Sequence, residues 1–123
     1  MLSLPAASRY FFYRPETDMR KGFDGLSGIV RNALRKDPLG GDIFIFVNRR
    51  RNQVKLLLFE GDGFSIYHKR LERGTYEIPA VAEDHVVLRH EQLQFILQGV
   101  CLSSVRHRKR FQVDQRKIAN VSH

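Results

Sequence analysis

Residues 43–71 read IFIFV, NRRRNQ, VKLLLFE, GDG and FSIYHKRL in succession, so three apolar runs are separated by two short polar breaks. The runs are rich in β-branched and aromatic residues and are bounded by turn-forming residues, which is typical of strands. Gly61-Asp62-Gly63 supplies the permissive backbone that a short hairpin loop needs. The stretch therefore predicts an antiparallel meander of three strands, buried on both faces at its centre, against which the rest of the chain packs.

Two further strands are predicted outside this stretch. Ser8–Tyr13 is a short aromatic run that Pro15 ends, and we expect it at an edge of the sheet or beside the first strand of the meander. Val86–Leu88 is a candidate for a short strand after the meander.

Helical spacing of apolar residues appears on both sides of the meander. The apolar positions within residues 26–34 form one stripe of a helix, and Phe23 extends that stripe backwards. Either residue of Thr17-Asp18 can cap this helix, with Asp24 as a later option, and Asp37-Pro38 ends it because the residue before proline avoids helical geometry. Residues 90–98 show the same spacing and predict a second helix.

These elements predict an α+β fold. We expect an antiparallel sheet, a meander of three to five strands, with one helix before it and one or two helices after it. The 123 residues are 42% hydrophobic, which suits one domain, here residues 1–102, followed by a basic C-terminal tail at residues 103–123. No apolar run reaches the roughly 18 residues that a membrane span requires, and no signal-peptide pattern is seen. With a single cysteine, Cys101, we expect a cytoplasmic protein without an internal disulfide.

Charge is the strongest feature of the composition. The chain has 21 Lys and Arg against 13 Asp and Glu, a formal net charge of +8. Such an excess favours a polyanionic partner, namely DNA, RNA or a membrane surface. The alternative is a soluble protein that is basic without binding nucleic acid.

Three basic clusters are candidates for contact with nucleic-acid phosphates. The first is a predicted hairpin loop, the second lies at the end of a predicted strand, and the third precedes the first helix, whose backbone N–H groups can assist. Arginine forks match phosphate geometry and can read guanine edges, whereas the alternative for each cluster is a solvated surface. Strand alternation places His68 and Lys69 on opposite faces, so the second cluster cannot form one flat patch without strong twist. The candidate residues are Arg49, Arg50 and Arg51; Lys69, Arg70 and Arg73; and Arg20 and Lys21.

Catalysis is not predicted. Glu60 and Asp62 flank Gly61 at a turn, where Glu60 can simply end a strand and Asp62 can simply stabilise the turn. A metal-dependent nuclease would need several carboxylates brought together around the metal. The five histidines have no metal-ligand spacing. We therefore predict no catalytic residue, no metal and no cofactor.

Several segments, taken in order, resemble a known family. They are MLSLP at 1–5, TDMRKGFDGL at 17–26, FIF and then NRR within 44–50, KLL at 55–57, EGDGF at 60–64 and YHKRLERG at 67–74, and QL with LQG within 92–99 resembles the family's final helix. Their order and spacing over about residues 1–80 resemble TnpB, the small accessory protein of the sixty-six family of bacterial insertion sequences. His68 departs from this pattern, because an aromatic or another apolar residue is expected before the Lys-Arg-Leu-Glu run.

The resemblance implies a role in transposition beside a separate, larger transposase, and it does not imply that this chain cuts or joins DNA. Our leading hypothesis is a non-catalytic protein that binds transposon-end DNA, the transposase, or both, with homo-oligomers possible. A second hypothesis is a protein-interaction adaptor that docks through a sheet face or a strand edge. A third is a metal-dependent nuclease that uses Glu60 or Asp62.

Overall fold

The three apolar runs form consecutive antiparallel strands in the computed structural model. These strands are β2 (Ile43–Val47), β3 (Gln53–Phe59) and β4 (Phe64–Arg70). The structure describes residues 9–80, 83–98, 100–101 and 106–107. Every residue of β2 is buried, as its uninterrupted apolar sequence predicts. The predicted meander is therefore confirmed.

The sheet is mixed, so the prediction of a purely antiparallel sheet was wrong. Strand β1 (Tyr10–Tyr13) lies beside β2 and runs parallel to it, and β5 (His85–Leu88) pairs antiparallel with the other side of β1. The strand order is β4-β3-β2-β1-β5. The physical reason is the helix between β1 and β2, because a helical crossover returns the chain to the end where the first strand began. Of the two positions predicted for the first strand, the one beside the meander is observed.

The first helix, α1 (Phe23–Asn32), is shorter than predicted at both ends. None of Thr17, Asp18 and Asp24 caps it, because the N-cap position is Gly22 and no side chain makes a capping hydrogen bond there. The helix ends before Asp37-Pro38, since Arg35 adopts a left-handed φ of 58°. Glycine usually occupies such a position after a helix.

Two apolar layers enclose the sheet. α1 packs on one face, and the second helix, α2 (His90–Gln98), packs on the other together with the segment 71–80. Alternation along β2 sends Phe44 toward α1 and Ile45 toward α2, so one strand serves both cores. The buried residues on the α1 side are Phe11, Leu26, Val30, Leu34, Phe44, Phe46 and Leu57.

After α2, β6 (Val100–Cys101) pairs antiparallel with β7 (Arg106–His107). The predicted domain boundary after residue 102 falls between these two strands, and the tail beyond residue 107 lies outside the described residues. Within the described ranges, neither helix has the length and apolar character needed to cross a bilayer.

Candidate nucleic-acid interface

The three predicted basic clusters meet at one end of the sheet. Strands β1, β2 and β4 end there and β3 begins there, so the connecting loops 14–22, 48–52 and 71–76 are neighbours. Backbone hydrogen bonds join them: Thr17 N–H to Val47 O at 2.9 Å, Leu71 N–H to Asn52 O at 2.7 Å, and Tyr76 N–H to Arg51 O at 2.7 Å. We call these three loops, together with Lys69 and Arg70 at the end of β4, the basic end.

The middle loop of the basic end is a rigid arginine hairpin. The Asn48 Oδ1 accepts hydrogen bonds from the N–H groups of Asn52 at 3.0 Å and Gln53 at 2.9 Å. The Asn48 Nδ2 donates to the Asn52 Oδ1 at 2.8 Å. Asparagine commonly stabilises a turn by bonding to backbone groups a few residues ahead. The hairpin is thereby fixed while its three arginines, Arg49, Arg50 and Arg51, are exposed.

Arg51 has a left-handed backbone, with φ 60°. A non-glycine residue in this region costs about 1–2 kcal/mol relative to right-handed geometry. Residues held in such conformations occur often at binding sites, where the side chain is needed in spite of its backbone cost. The conformation also lets the Arg51 carbonyl accept the Tyr76 N–H, which joins the hairpin to the loop after β4.

Most cations of the basic end have no carboxylate partner among the residues that the structure describes. Arg20 is the clearest exception: its Nη2 lies 2.6 Å from the Asp18 Oδ2. Hydrogen bonds from the Arg20 side chain and backbone lower the pKa of Asp18 to about 2. Arg70 makes a longer, exposed pair with Glu72 at 3.6 Å, a kind that adds little stability. Among the described residues, no ion pair is made by Lys21, Arg49, Arg50, Arg51, Lys69 or Arg73.

A buried lysine ties the sheet to the start of α1. Lys55 lies in β3, is 8% exposed, and donates from Nζ to the Lys21 carbonyl at 2.8 Å. Lys55 is the one charge in the interior of the run at residues 54–60, whose other charge, Glu60, lies at its end, and the sequence alone had suggested no role for it. Its position inside an otherwise apolar run was the available signal.

His68 stands opposite Lys55 on β4. Its Nε2 lies 2.8 Å from the Gln53 Oε1, a distance at which the ring N–H donates to the amide oxygen. Partial desolvation, followed by repulsion from Lys55 and Arg70, lowers the pKa of His68 below 6.5. The sheet surface facing α1 thus changes from apolar at Ile66 to basic at the basic end.

The basic residues of β4 divide between the two sheet faces. Lys69 is paired with Val54, whose side chain belongs to the α2-side core, whereas His68 and Arg70 lie on the α1 side. The expected alternation is therefore observed. The predicted candidates share one end of the molecule, and they do not form one flat patch.

The two carboxylates considered for a nuclease lie at the opposite end of the sheet. Glu60 and Asp62 belong to the β3–β4 hairpin, where Gly61 has φ 95° and the Glu60 N–H donates to the Gly63 carbonyl at 2.8 Å. The Glu60 carboxylate accepts a hydrogen bond from the Ser65 hydroxyl. Across the described part of the chain, no three His, Cys, Asp or Glu side chains converge as metal ligands would.

The fold and its basic end define a small α+β protein with a preorganised cationic surface. The family model described as IS66 Orf2 like protein matches residues 8–107, and the chain belongs to that family. It is therefore an accessory protein of an insertion sequence, as the resemblance predicted.

Two relatives come from Sinorhizobium fredii (strain NBRC 101917 / NGR234). The uncharacterized protein y4hO is 33% identical over 84 residues, which is 68% of this chain and 73% of the relative. The uncharacterized protein y4jC is 30% identical over 91 residues, 74% of this chain and 78% of the relative. No solved structure matches the chain.

Proposed function

We propose that this accessory protein binds DNA through its basic end during transposition and does not itself cleave DNA. The observation that carries the proposal is a set of exposed cations that have no carboxylate partner within the described ranges, on loops that hydrogen bonds join to one another. The central contact is the arginine hairpin, and Lys69 and Arg73 extend it. Arg20 and Arg70 contribute less because each has a carboxylate partner.

The chemistry favours phosphate contact over base reading. Guanidinium groups form paired hydrogen bonds with phosphate oxygens, and each neutralised phosphate releases condensed counterions. Contacts of this kind position a protein on DNA but carry no sequence information by themselves. We therefore infer that the basic end anchors the protein on the DNA backbone near the transposase.

The test compares two variants that lose equal charge at different places. Arg49→Gln with Arg50→Gln alters the arginine hairpin, whereas Arg31→Gln with Arg35→Gln alters exposed residues at the far end of α1. Titrations of transposon-end DNA across salt concentrations should show the hairpin variant binding more weakly. Its slope of log affinity against log salt should fall by about 2, because each lost phosphate contact removes about 0.9.

The control variant should keep both the affinity and the salt slope of the unaltered protein. Equal losses in the two variants would indicate attraction by net charge alone and would contradict a site at the basic end. An unchanged hairpin variant would remove the hairpin from the interface.

A second candidate function is docking of the transposase at the open edge of β5. Val87, on this edge strand, is 55% exposed, and an edge strand presents unpaired backbone groups to a partner. Binding to the transposase that survives nuclease and high salt, and that Val87→Lys abolishes, would support this function. Loss of the same binding under nuclease treatment would support the DNA-mediated one.

A further inference from the structure

Phe23 is an exposed aromatic residue at a position where the sequence predicts burial. It is the first residue of α1 and lies three positions before Leu26, which is fully buried against the sheet. Helical spacing places both residues on the same stripe. Phe23 is nevertheless 48% exposed.

The reason lies in the sheet next to the helix start. The α1-facing side chains of β3 and β4 are apolar at Leu57 and Ile66 but become Lys55 and His68 toward the basic end. Lys55 reaches the Lys21 carbonyl, two residues before Phe23, so the first turn of α1 lies at the height of these basic residues. The apolar stripe of the helix thus extends past the apolar part of the sheet.

Basic side chains lie across the sheet surface at the height of this aromatic residue. The Lys21 side chain is not one of them, because it runs past Gly25, about 200° around the helix from Phe23. His68 and Arg70 occupy the α1 side of the end of β4, and the ion pair that Arg70 makes with Glu72 is exposed. An exposed aromatic ring beside basic side chains is the arrangement that binds unpaired nucleotides, with the base on the ring and the phosphate on the cations.

We propose that Phe23, His68 and Arg70 form a subsite for an unpaired nucleotide of DNA. The base stacks on Phe23 and the adjoining phosphate contacts the basic side chains. This inference rests on the proposed DNA binding and specifies the form of DNA: a single strand, or a duplex with locally unpaired bases. Because every base has a π-face, the subsite recognises the unpaired state and tolerates any sequence.

The experiment uses the full chain and three fluorescent DNA probes. One is a single strand, the second is a perfect duplex, and the third is the same duplex with two unpaired bases, one of them 2-aminopurine. The protein variants are Phe23→Ala, Phe23→Leu and Phe23→Tyr. Phe95→Ala is the matched control, since Phe95 is 38% exposed and lies on α2, at the other sheet face.

The unaltered protein should bind the two probes with unpaired bases more tightly than the duplex and should quench 2-aminopurine. Phe23→Ala should lose about 5- to 100-fold in affinity for those two probes, the range of a lost base–aromatic contact. Its affinity for the duplex and its salt slopes should stay unchanged because no charge is removed. Phe23→Tyr should retain binding and quenching, and Phe95→Ala should behave as the unaltered protein.

Phe23→Leu distinguishes stacking from a simple apolar contact. The leucine variant should be as weak as the alanine variant, and binding restored by leucine would overturn the stacking subsite. Thermal unfolding midpoints of all variants check that the fold is kept, and quenching by the unaltered protein gives a readout that needs no variant.

The inference and the proposed function fail in different ways. If the unaltered protein binds none of the probes, both are overturned. If it binds DNA and the Arg49→Gln, Arg50→Gln variant binds more weakly, but Phe23→Ala binds unpaired probes normally, only the nucleotide subsite is overturned.

Discussion

At the scale of single residues, the backbone of Arg51 lowers the stability of the fold, while its side chain is proposed to bind DNA. Its left-handed φ of 60° disfavours arginine, whereas glycine adopts this geometry without a steric cost. We predict that Arg51→Gly raises the free energy of unfolding by up to about 1 kcal/mol and weakens DNA binding. Urea denaturation gives the first quantity and a DNA titration the second.

Arg50→Gly is the matched comparison. Among the described non-glycine residues, positive φ angles occur only at Arg35 and Arg51, so glycine at residue 50 relieves no strain. It should lower the stability, because glycine increases the conformational entropy of the unfolded chain. Equal effects of glycine at residues 50 and 51 would contradict the role given to the backbone of Arg51.

His68 makes stability depend on pH. Its pKa is lowered in the folded protein, so in the unfolded chain, with a pKa near 6.5, it binds more protons at mildly acidic pH. The contribution of neutral His68 to stability is therefore present above pH 6.5 and is lost as the pH falls through 6.5 toward the lowered value. We predict that the unfolding free energy of the unaltered protein falls relative to that of His68→Gln as the pH is lowered through this interval. Denaturation at a series of pH values measures it, and a difference that is constant with pH would contradict the assignment.

At the scale of secondary-structure elements, Lys55 is the link between β3 and the start of α1. Its hydrogen bond to the Lys21 carbonyl is 2.8 Å long, and its charge is the second cause of the low pKa of His68. We predict that Lys55→Met raises the pKa of His68 toward 6.5, which NMR titration of the His68 ring protons measures. Lys69→Met, which removes a charge next to His68 but on the other sheet face, should change it less. A larger shift from the Lys69 variant would show that the two faces are not separated as described.

The meander was predictable because its information is local. Residues 43–71 contain their own turns, and Gly61 and Asn48 form the two hairpins without help from distant segments. The partner of β1 was not fixed by local pattern, since an aromatic run such as Tyr10–Tyr13 suits either an edge or an interior position. Its place beside β2 depends on the parallel pairing of the two strands that α1 connects.

The same distinction holds for the candidate site. Each basic cluster was visible in the sequence, but their convergence depends on the parallel arrangement of β1 and β2, which brings loop 14–22 to the arginine hairpin. The exposure of Phe23 could not be predicted either, because helical spacing shows which face of the helix is apolar but not which residues of the sheet that face meets. The sheet surface there is set by Lys55 and His68, which are remote in sequence from the helix.

At the scale of the whole molecule, the cations of the predicted tail should add to DNA binding through their charge. Arg108, Lys109 and Arg110 belong to the predicted tail and lie outside the described residues. We predict that changing all three to Gln lowers the salt slope of DNA binding by about 2–3, through fewer released counterions. Affinity extrapolated to about 1 M salt, where this electrostatic term vanishes, should stay unchanged.

Phe23→Ala should show the opposite behaviour in the same titrations, with an unchanged slope and a lower extrapolated affinity for unpaired DNA. A tail variant that lowers the extrapolated affinity would show that the tail contributes contacts other than charge.

The position of β1 between β2 and β5 has a consequence for how the protein is made. Tyr10 pairs with Ile43 on one side and with Leu88 on the other, so the strand that leaves the ribosome first is completed by one synthesised much later. Leu93 and Ile96, both fully buried, follow later still. Translation that stops after β4 would release a chain whose first strand has an open, aromatic-rich edge, and such edges recruit other chains. Premature termination after β4 should therefore yield insoluble protein instead of a smaller working one.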